Sequence, residues 1–152
     1  MRALKTLLVA GLLLSPAVAQ AINCQVTVSP LVFGLYMPGQ SSPLDAVAEI
    51  SVRCMARPGN YAVTIGPGFS GNQLMRTLLA GPGDALNYNL YRDAGRTQIW
   101  GSGVLPTFTV TGSRLRVGRP TVTTHSLYGR VFSDQFPNPG TYTDSLLVTV
   151  LF

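Results

Sequence analysis

The residues that could support catalysis are few and scattered in this chain of 152 residues. His125 is the single histidine, and the residue after it, Ser126, is its nearest candidate nucleophile. A serine hydrolase needs its histidine within reach of both a nucleophile and an orienting acid. Neighbours on a strand point to opposite faces, so His125 and Ser126 do not fit that arrangement. The polar stretch around His125 is typical of a surface position, and we expect neither an enzyme nor a catalytic residue.

A second pattern, the spacing of Gly66, Gly68 and Gly71, matches a dinucleotide-binding loop. Such a loop offers backbone N–H groups and a helix N-terminus to a pyrophosphate. Pro67 removes one N–H group, and no convincing helix follows, so these glycines predict a turn. With one histidine and six scattered acids, we expect no metal site and no cofactor.

The start of the chain predicts export. Arg2 and Lys5 precede an apolar run at residues 7–14, and Ala19-Gln20-Ala21 offers the small-x-small pattern of a cleavage site. We expect a signal peptide over residues 1–21, cleaved between Ala21 and Ile22, and no transmembrane segment in the mature chain. The apolar run is too short to span a bilayer comfortably.

Two cysteines, Cys24 and Cys54, therefore enter an oxidising compartment. A disulfide between them is the default expectation. In the loop-entropy account, closing about 30 residues destabilises the unfolded chain by roughly 3.5 kcal/mol.

Charge argues against a nucleic-acid partner. Losing Arg2 and Lys5 with the signal peptide lowers the formal net charge from +5 to +3. The densest basic group is Arg114, Arg116 and Arg119, and its spacing is typical of the solvated face of a strand.

Most of the mature sequence reads as short strands separated by glycine and proline. The clearest is residues 46–54, where apolar side chains from Ala46 to Cys54 alternate with polar ones. Residues 74–80 are predicted to form a helical turn, and residues 31–36 to extend the first strand. Other predicted strands cover residues 24–28, 61–65, 86–91, 97–100, 127–132 and a hairpin of 108–110 with 115–117 around a turn at 111–113. The pattern predicts one all-β domain over residues 22–152, an antiparallel sandwich.

Residues 142–152 predict a terminal strand with apolar groups on both faces. Tyr142, Leu146, Val148, Val150 and Phe152 share one face. Such a strand belongs inside a sheet, yet the sequence supplies nothing after it to pair with its free side. An unprotected apolar edge is a hazard for a soluble protein, so we predict that another chain covers it.

A series of short segments runs through almost the whole mature chain in order. These are Cys24, then VFGLY at 32–36, ISVRC at 50–54, YAVTI at 61–65, LNYNLY at 86–91, IWG at 99–101, YGRV at 128–131 and GTYTD at 140–144. The ordered set resembles the spore coat protein U domain and the pilins of the archaic (Csu-type) chaperone–usher pathway. That resemblance implies an incomplete immunoglobulin-like sandwich that lacks its last strand.

The resemblance also implies how the fold is completed. A periplasmic chaperone lends a strand to an open groove, and an outer-membrane usher exchanges it for a segment of the next pilus or coat subunit. In this sequence the strand-accepting groove is expected between the first strand, with Val26 and Val28, and the terminal strand, with Leu146, Val148, Val150 and Phe152. The implied role is a secreted structural or adhesive subunit at the cell surface.

The expected N-terminal arm is short. Only Ile22 and Asn23 lie between the predicted cleavage site and Cys24, and two residues span at most about 7 Å. We therefore predict a subunit that receives a strand but gives none, at the tip or end of a fibre.

A different class of function stays open at this point. The protein could be a stand-alone secreted sandwich that binds carbohydrate or another surface, with residues 31–36 or another segment folded back to close its edge. Trp100, Tyr36, Tyr88 and Tyr91 could line a sugar groove, or they could pack in the core.

Overall fold

Alternating apolar side chains build two facing β-sheets in the computed structural model, which describes residues 23–55, 59–81, 83–114 and 119–152. The predicted cleavage residues Ala19 and Ala21 lie outside this part of the chain. The five-stranded sheet has the order β1-β2-β7-β5-β4, and the three-stranded sheet has the order β6-β3-β8. The strands are β1 (Asn23–Val28), β2 (Leu44–Met55), β3 (Gly59–Ile65), β4 (Arg76–Gly81), β5 (Asp84–Tyr91), β6 (Val110–Arg114), β7 (Thr121–Val131) and β8 (Val148–Leu151).

The core lies between the sheets, where the period-two pattern places it. Ile50 and Val52 of β2 are buried against Val63 and Ile65 of β3 in one apolar cluster. Trp100 lies at its centre, and its indole N–H donates to the carbonyl oxygen of Val63 at 2.8 Å. These features confirm the predicted all-β, immunoglobulin-like sandwich.

The disulfide joins β1 to the end of β2, as predicted. Cys24 and Cys54 are direct partners in the antiparallel register of these strands. Among the described strands β1 pairs with β2 alone, so the covalent bond ties an edge strand to the covered part of its sheet.

A buried arginine links the two sheets. The Arg76 guanidinium donates to the carbonyl oxygens of Gly66 and Trp100, each at 2.9 Å, and to Asn89 Oδ1 at 2.6 Å. Its side chain is fully buried, so these acceptors replace the water that the charge loses.

Two local predictions are wrong. Residues 74–80 form no helical turn, because residues 76–81 form β4 and pair with β5. The predicted turn at residues 111–113 lies within β6, which pairs with β3 from Gly59 to Val63. At residues 76–81 the chain forms a hairpin with the next strand, and at residues 110–114 it pairs with a strand distant in the sequence, so strand pairing prevails over local preference in both places. Residues 115–117 of the expected hairpin lie outside the described residues.

Two predicted strands are longer than the strands that the structure forms. Residues 31–36 form no strand, although β1 before them does. The terminal strand is regular only over β8, while Thr143 bridges to Leu79 on the other sheet. Crossing from one sheet to the other interrupts the strand between these points. The predicted turn at Gly66–Gly71 is confirmed, since it holds a single 3-10 turn, Gly68–Ser70, and Gly71 has φ 68°.

Candidate functional site

An open apolar groove of about 1220 Å³ runs between residues 29–38 on one side and residues 139–148 on the other. Of the six predicted groove residues, Val26, Val28, Leu146 and Val148 line it. Val150 packs against the core farther along β8, and the Phe152 ring lies 6.5 Å from the Tyr61 ring. The predicted set is therefore divided between the groove and the end of the sandwich beyond it.

The groove exists because the three-stranded sheet does not reach over β1. Val26 lies opposite Val52, and Val28 lies opposite Ile50, so each pair points to the same face. Val52 and Ile50 are 1% and 0% exposed, but Val26 and Val28 are 37% and 43% exposed. The inner face of β1 therefore lacks a cover that the inner face of β2 has.

One wall of the groove is β8 with the segment before it. β8 pairs with β3 through its inner edge, and no strand of the described residues pairs with its outer edge. Two hydrogen bonds join Leu79 and Thr143, at 2.8 and 3.0 Å, and fix the start of this wall to β4. The Gly66 N–H donates to the Leu147 carbonyl oxygen at 2.8 Å and fixes the middle of the wall to the end of β3.

The other wall is residues 31–36, which we call the wall segment. No backbone hydrogen bond joins it to a strand in the described part of the chain. It is held by side chains: the Phe33 ring meets the Tyr88 ring edge-on at 5.8 Å, and the Tyr36 hydroxyl donates to the Phe132 carbonyl oxygen at 2.9 Å. The groove therefore lies between two backbone edges with free hydrogen-bonding groups.

A carboxylate is built into one end of the groove. Asp144 accepts hydrogen bonds from the Tyr88 hydroxyl at 2.6 Å and from the Phe69 N–H at 2.8 Å. Gly68, at φ 70°, lets the 3-10 turn approach, since a Cβ there would collide with this carboxylate. Burial, together with the hydrogen bond to Asp144, raises the pKa of Tyr88. The contacts anchor the 139–148 wall and leave Asp144 engaged with the protein itself.

His125 is not the surface residue that the sequence predicted. Its ring lies on the inner face of β7, where Nε2 is 3.0 Å from the Tyr61 hydroxyl and the Trp100 ring is 6.5 Å away. Burial lowers the pKa of His125. The alternation of β7 places residue 125 on the same face as Leu127 and Val131, so the strand period outweighs the local polarity.

Sequence reasoning missed the groove floor. It consists of apolar side chains that the alternation marks as buried without showing where they meet, namely Leu44, Ile65, Leu78, Leu86, Tyr88, Leu127 and Val131. Tyr88 and Trp100, considered above for a sugar groove, are buried in the core.

In the described residues no cluster of three His, Cys, Asp or Glu side chains could hold a metal ion. The same residues contain no helix long and apolar enough to cross a membrane.

Comparison with solved structures identifies a similar fold. The chaperone–tip adhesion subunit pre-assembly complex CsuC–CsuE, from the archaic chaperone–usher Csu pili of Acinetobacter baumannii, matches with a TM-score of 0.55 and 22% identity. The alignment covers 87% of this chain and 40% of that one, so the chain spans less than half the length of its structural relative. No curated protein matches.

The family comparison covers nearly the whole sequence. The profile of the Spore Coat Protein U domain matches residues 9–149, which include both cysteines and both walls of the groove. The resemblance drawn from the ordered segments is thereby confirmed, and the chain belongs to the Spore Coat Protein U domain family.

Proposed function

We propose that the groove accepts an extended segment of another polypeptide, which pairs with β8 and covers β1. The observation that carries the proposal is the contrast between Val26, 37% exposed, and its cross-strand neighbour Val52, 1% exposed. One added strand beside β8 would extend the three-stranded sheet over β1. Burying both valines would then stabilise the complex by about 25 cal/mol for each Å² of apolar surface removed from water.

The backbone of the groove fits the same occupant. An extended chain between β8 and the wall segment would meet free N–H and C=O groups on both sides, as in β-augmentation. Alternate side chains of the incoming segment would enter the apolar floor, and the others would face solvent. Among the described residues the wall segment does not pair with β8, which supports an incoming strand over closure by that segment.

On this basis the protein is a non-catalytic structural or adhesive subunit of a surface fimbria or coat. Family membership and the fold shared with a chaperone-bound pilus subunit support this assignment. The partners are a periplasmic chaperone, an outer-membrane usher and other subunits. The route runs from the predicted signal peptide through the periplasm to the cell surface.

We further propose that the subunit receives a strand without giving one. This step rests on the predicted cleavage between Ala21 and Ile22, which leaves two residues before Cys24. N-terminal sequencing of the exported protein tests the cleavage, and immunogold labelling of purified fibres tests the position. Label along the shaft, with subunits on both sides, would contradict a terminal position.

The groove is tested by adding a synthetic peptide of alternating valine and threonine to the purified mature chain. We expect capture of the peptide and a higher unfolding temperature, because a ligand of the native state stabilises it by mass action. A peptide of the same composition in which the valines are consecutive is the control. A stable monomer that ignores both peptides would refute the proposal and favour the stand-alone sandwich.

A pair of variants locates the binding surface. Val28→Asp places a charge on the groove face of β1, and Val122→Asp places one on an exposed valine of β7 outside the groove. Burying an unpaired carboxylate is costly, so we expect Val28→Asp to weaken capture at least about tenfold. Val122→Asp should leave capture unchanged. Equal effects of the two substitutions would place the peptide elsewhere.

A further inference from the structure

Gly129 leaves a notch in the floor of the groove. It lies in β7 between Leu127 and Val131, whose side chains point to the same inner face. A Cβ on Gly129 would stand 2.6 Å from Leu31 Cδ2 and 2.8 Å from Phe33 Cζ. Real Cβ atoms do not approach other atoms so closely, so Leu31 and Phe33 occupy the space that a side chain at position 129 would need.

The notch matters because the wall segment has no backbone pairing of its own. Leu31 and Phe33 point inward, while Val32 and Leu35 are largely exposed. The position of the wall segment therefore depends on how closely its inward-pointing side chains pack against β7. Glycine is costly in a strand interior, and the close approach of these two side chains gives it a physical reason.

We propose that Gly129 is the positioning residue of the groove: by seating Leu31 and Phe33, it sets the separation between the wall segment and β8. The role of that separation in capturing a strand rests on the proposed function, whereas the seating itself does not. A side chain at position 129 would force the ends of the Leu31 and Phe33 side chains to move, and we expect the wall segment to move with them and change the width available to an incoming strand.

The experiment measures the width directly. Nitroxide labels are attached at Leu35→Cys and Leu147→Cys, on opposite walls, where the native residues are 81% and 73% exposed. Distances between the labels are recorded by pulsed electron paramagnetic resonance for the doubly labelled parent and for Gly129→Ala in the same background. Gly81→Ala is the matched control, since a Cβ at that strand position meets nothing within 4 Å.

We expect Gly129→Ala to shift the distance distribution and Gly81→Ala to leave it unchanged. Combining Gly129→Ala with Leu31→Ala and Phe33→Leu should return the distribution toward that of the parent, because both close contacts are then removed. An unshifted distribution in a folded Gly129→Ala protein overturns the proposal. Capture of the alternating peptide by Gly129→Ala should be about tenfold weaker than by the parent.

A reverse variant covers the case in which Gly129→Ala does not fold. Leu31→Ala with Phe33→Leu, on the native Gly129, empties the notch and should broaden the distance distribution. A distribution as narrow as that of the parent would equally overturn the proposal. If the parent fails to capture the peptide while the distances respond as expected, the proposed function fails and the seating role of Gly129 stands.

Discussion

β1 and β2 are neighbours in one sheet and present valines to the same face, but their surroundings differ. Val52 of β2 lies under the three-stranded sheet and is 1% exposed. Val26, its partner on β1, is 37% exposed and lines the groove. Residue type, sheet and face are matched in this pair. The difference comes from the missing cover of the opposite sheet and from the edge position of β1.

The comparison extends to the polar groups of the two regions. In the covered region, Arg76 satisfies carbonyl groups of several segments, and Trp100 donates to Val63. In the open region, the wall segment and the outer edge of β8 have no backbone partner among the described residues. The described hydrogen bonds of the covered region are made within one chain, and the open region presents the unpaired edges that the proposed incoming strand would fill.

The largest expected effect tests whether the covered region is self-sufficient. Arg76→Met removes the guanidinium and leaves the carbonyl oxygens of Gly66 and Trp100 buried without a donor. We expect the free energy of unfolding to fall by about 3–5 kcal/mol, the range for a broken buried polar network. Urea unfolding of the mature chain measures it. Arg53→Met, at an exposed position of β2, should cost less than about 0.5 kcal/mol.

The same measurement with the peptide bound in the groove makes this prediction more specific. The loss in Arg76→Met should be the same with and without the alternating peptide, because the guanidinium hydrogen bonds go to Ile65, Gly66, Gln73, Asn89 and Trp100 and to neither wall of the groove. A loss below about 1 kcal/mol would show that water reaches the freed carbonyl groups, and the covered region would then be less closed than the structure indicates.

Period-two alternation made the covered region predictable. Residues 46–54 and 61–65 were assigned to strands because apolar side chains recur at every second position, and both are strands of the core. The disulfide was predictable because a chain predicted to be exported has only two cysteines. Val26, Val28, Leu146 and Val148 were expected at the groove from the family resemblance, and all four line it.

The remaining features depend on contacts between distant segments. Arg76 has carbonyl partners at residues 65, 66 and 100, and no local pattern specifies that these meet. The crossing of residues 142–147 between sheets depends on Leu79, which lies far away in the sequence. From the sequence alone, Gly129 looks like a turn residue or a glycine that weakens a strand. Its role is visible only once the structure places Leu31 and Phe33 over it.

A smaller change in the free energy of unfolding is expected for substitutions in the valine pair. Val52→Ala should lower the free energy of unfolding by about 2 kcal/mol, since it removes two fully buried methyl groups and leaves a cavity. Val26→Ala should cost less than about 1 kcal/mol in the free chain, where the side chain still contacts water. Urea unfolding of both variants measures the difference between the two losses in the free energy of unfolding.

With the alternating peptide bound, the two losses should converge, because Val26 then becomes buried. Equal losses in the free chain would contradict the exposure difference on which the comparison rests. Unequal losses that stay apart with peptide bound would show that the peptide leaves β1 uncovered.

The smallest expected effect concerns His125 on the inner face of β7. Its Nε2 is 3.0 Å from the Tyr61 hydroxyl, and the Tyr61 ring contacts Phe152 at the end of the terminal segment. Burial lowers the pKa of His125 below its ordinary value of 6.5, so the imidazole binds a proton less readily in the native state than in the unfolded chain. The unfolded chain then binds more protons as the pH falls through about 6.5, and stability is lost in that window.

Urea unfolding at a series of pH values measures this dependence, with His125→Gln as the control, because glutamine keeps a hydrogen-bonding group without titrating. We expect the fall in stability just below pH 6.5 in the parent and a flatter profile in the variant. The hydrogen bond from Arg130 lowers the pKa of Asp45, so stability from that carboxylate is lost only at lower pH, below its ordinary value of 3.8. The two windows are separate, and parallel profiles in parent and variant near pH 6 would therefore mean that His125 is as hydrated in the folded chain as in the unfolded one, contrary to its position between the sheets.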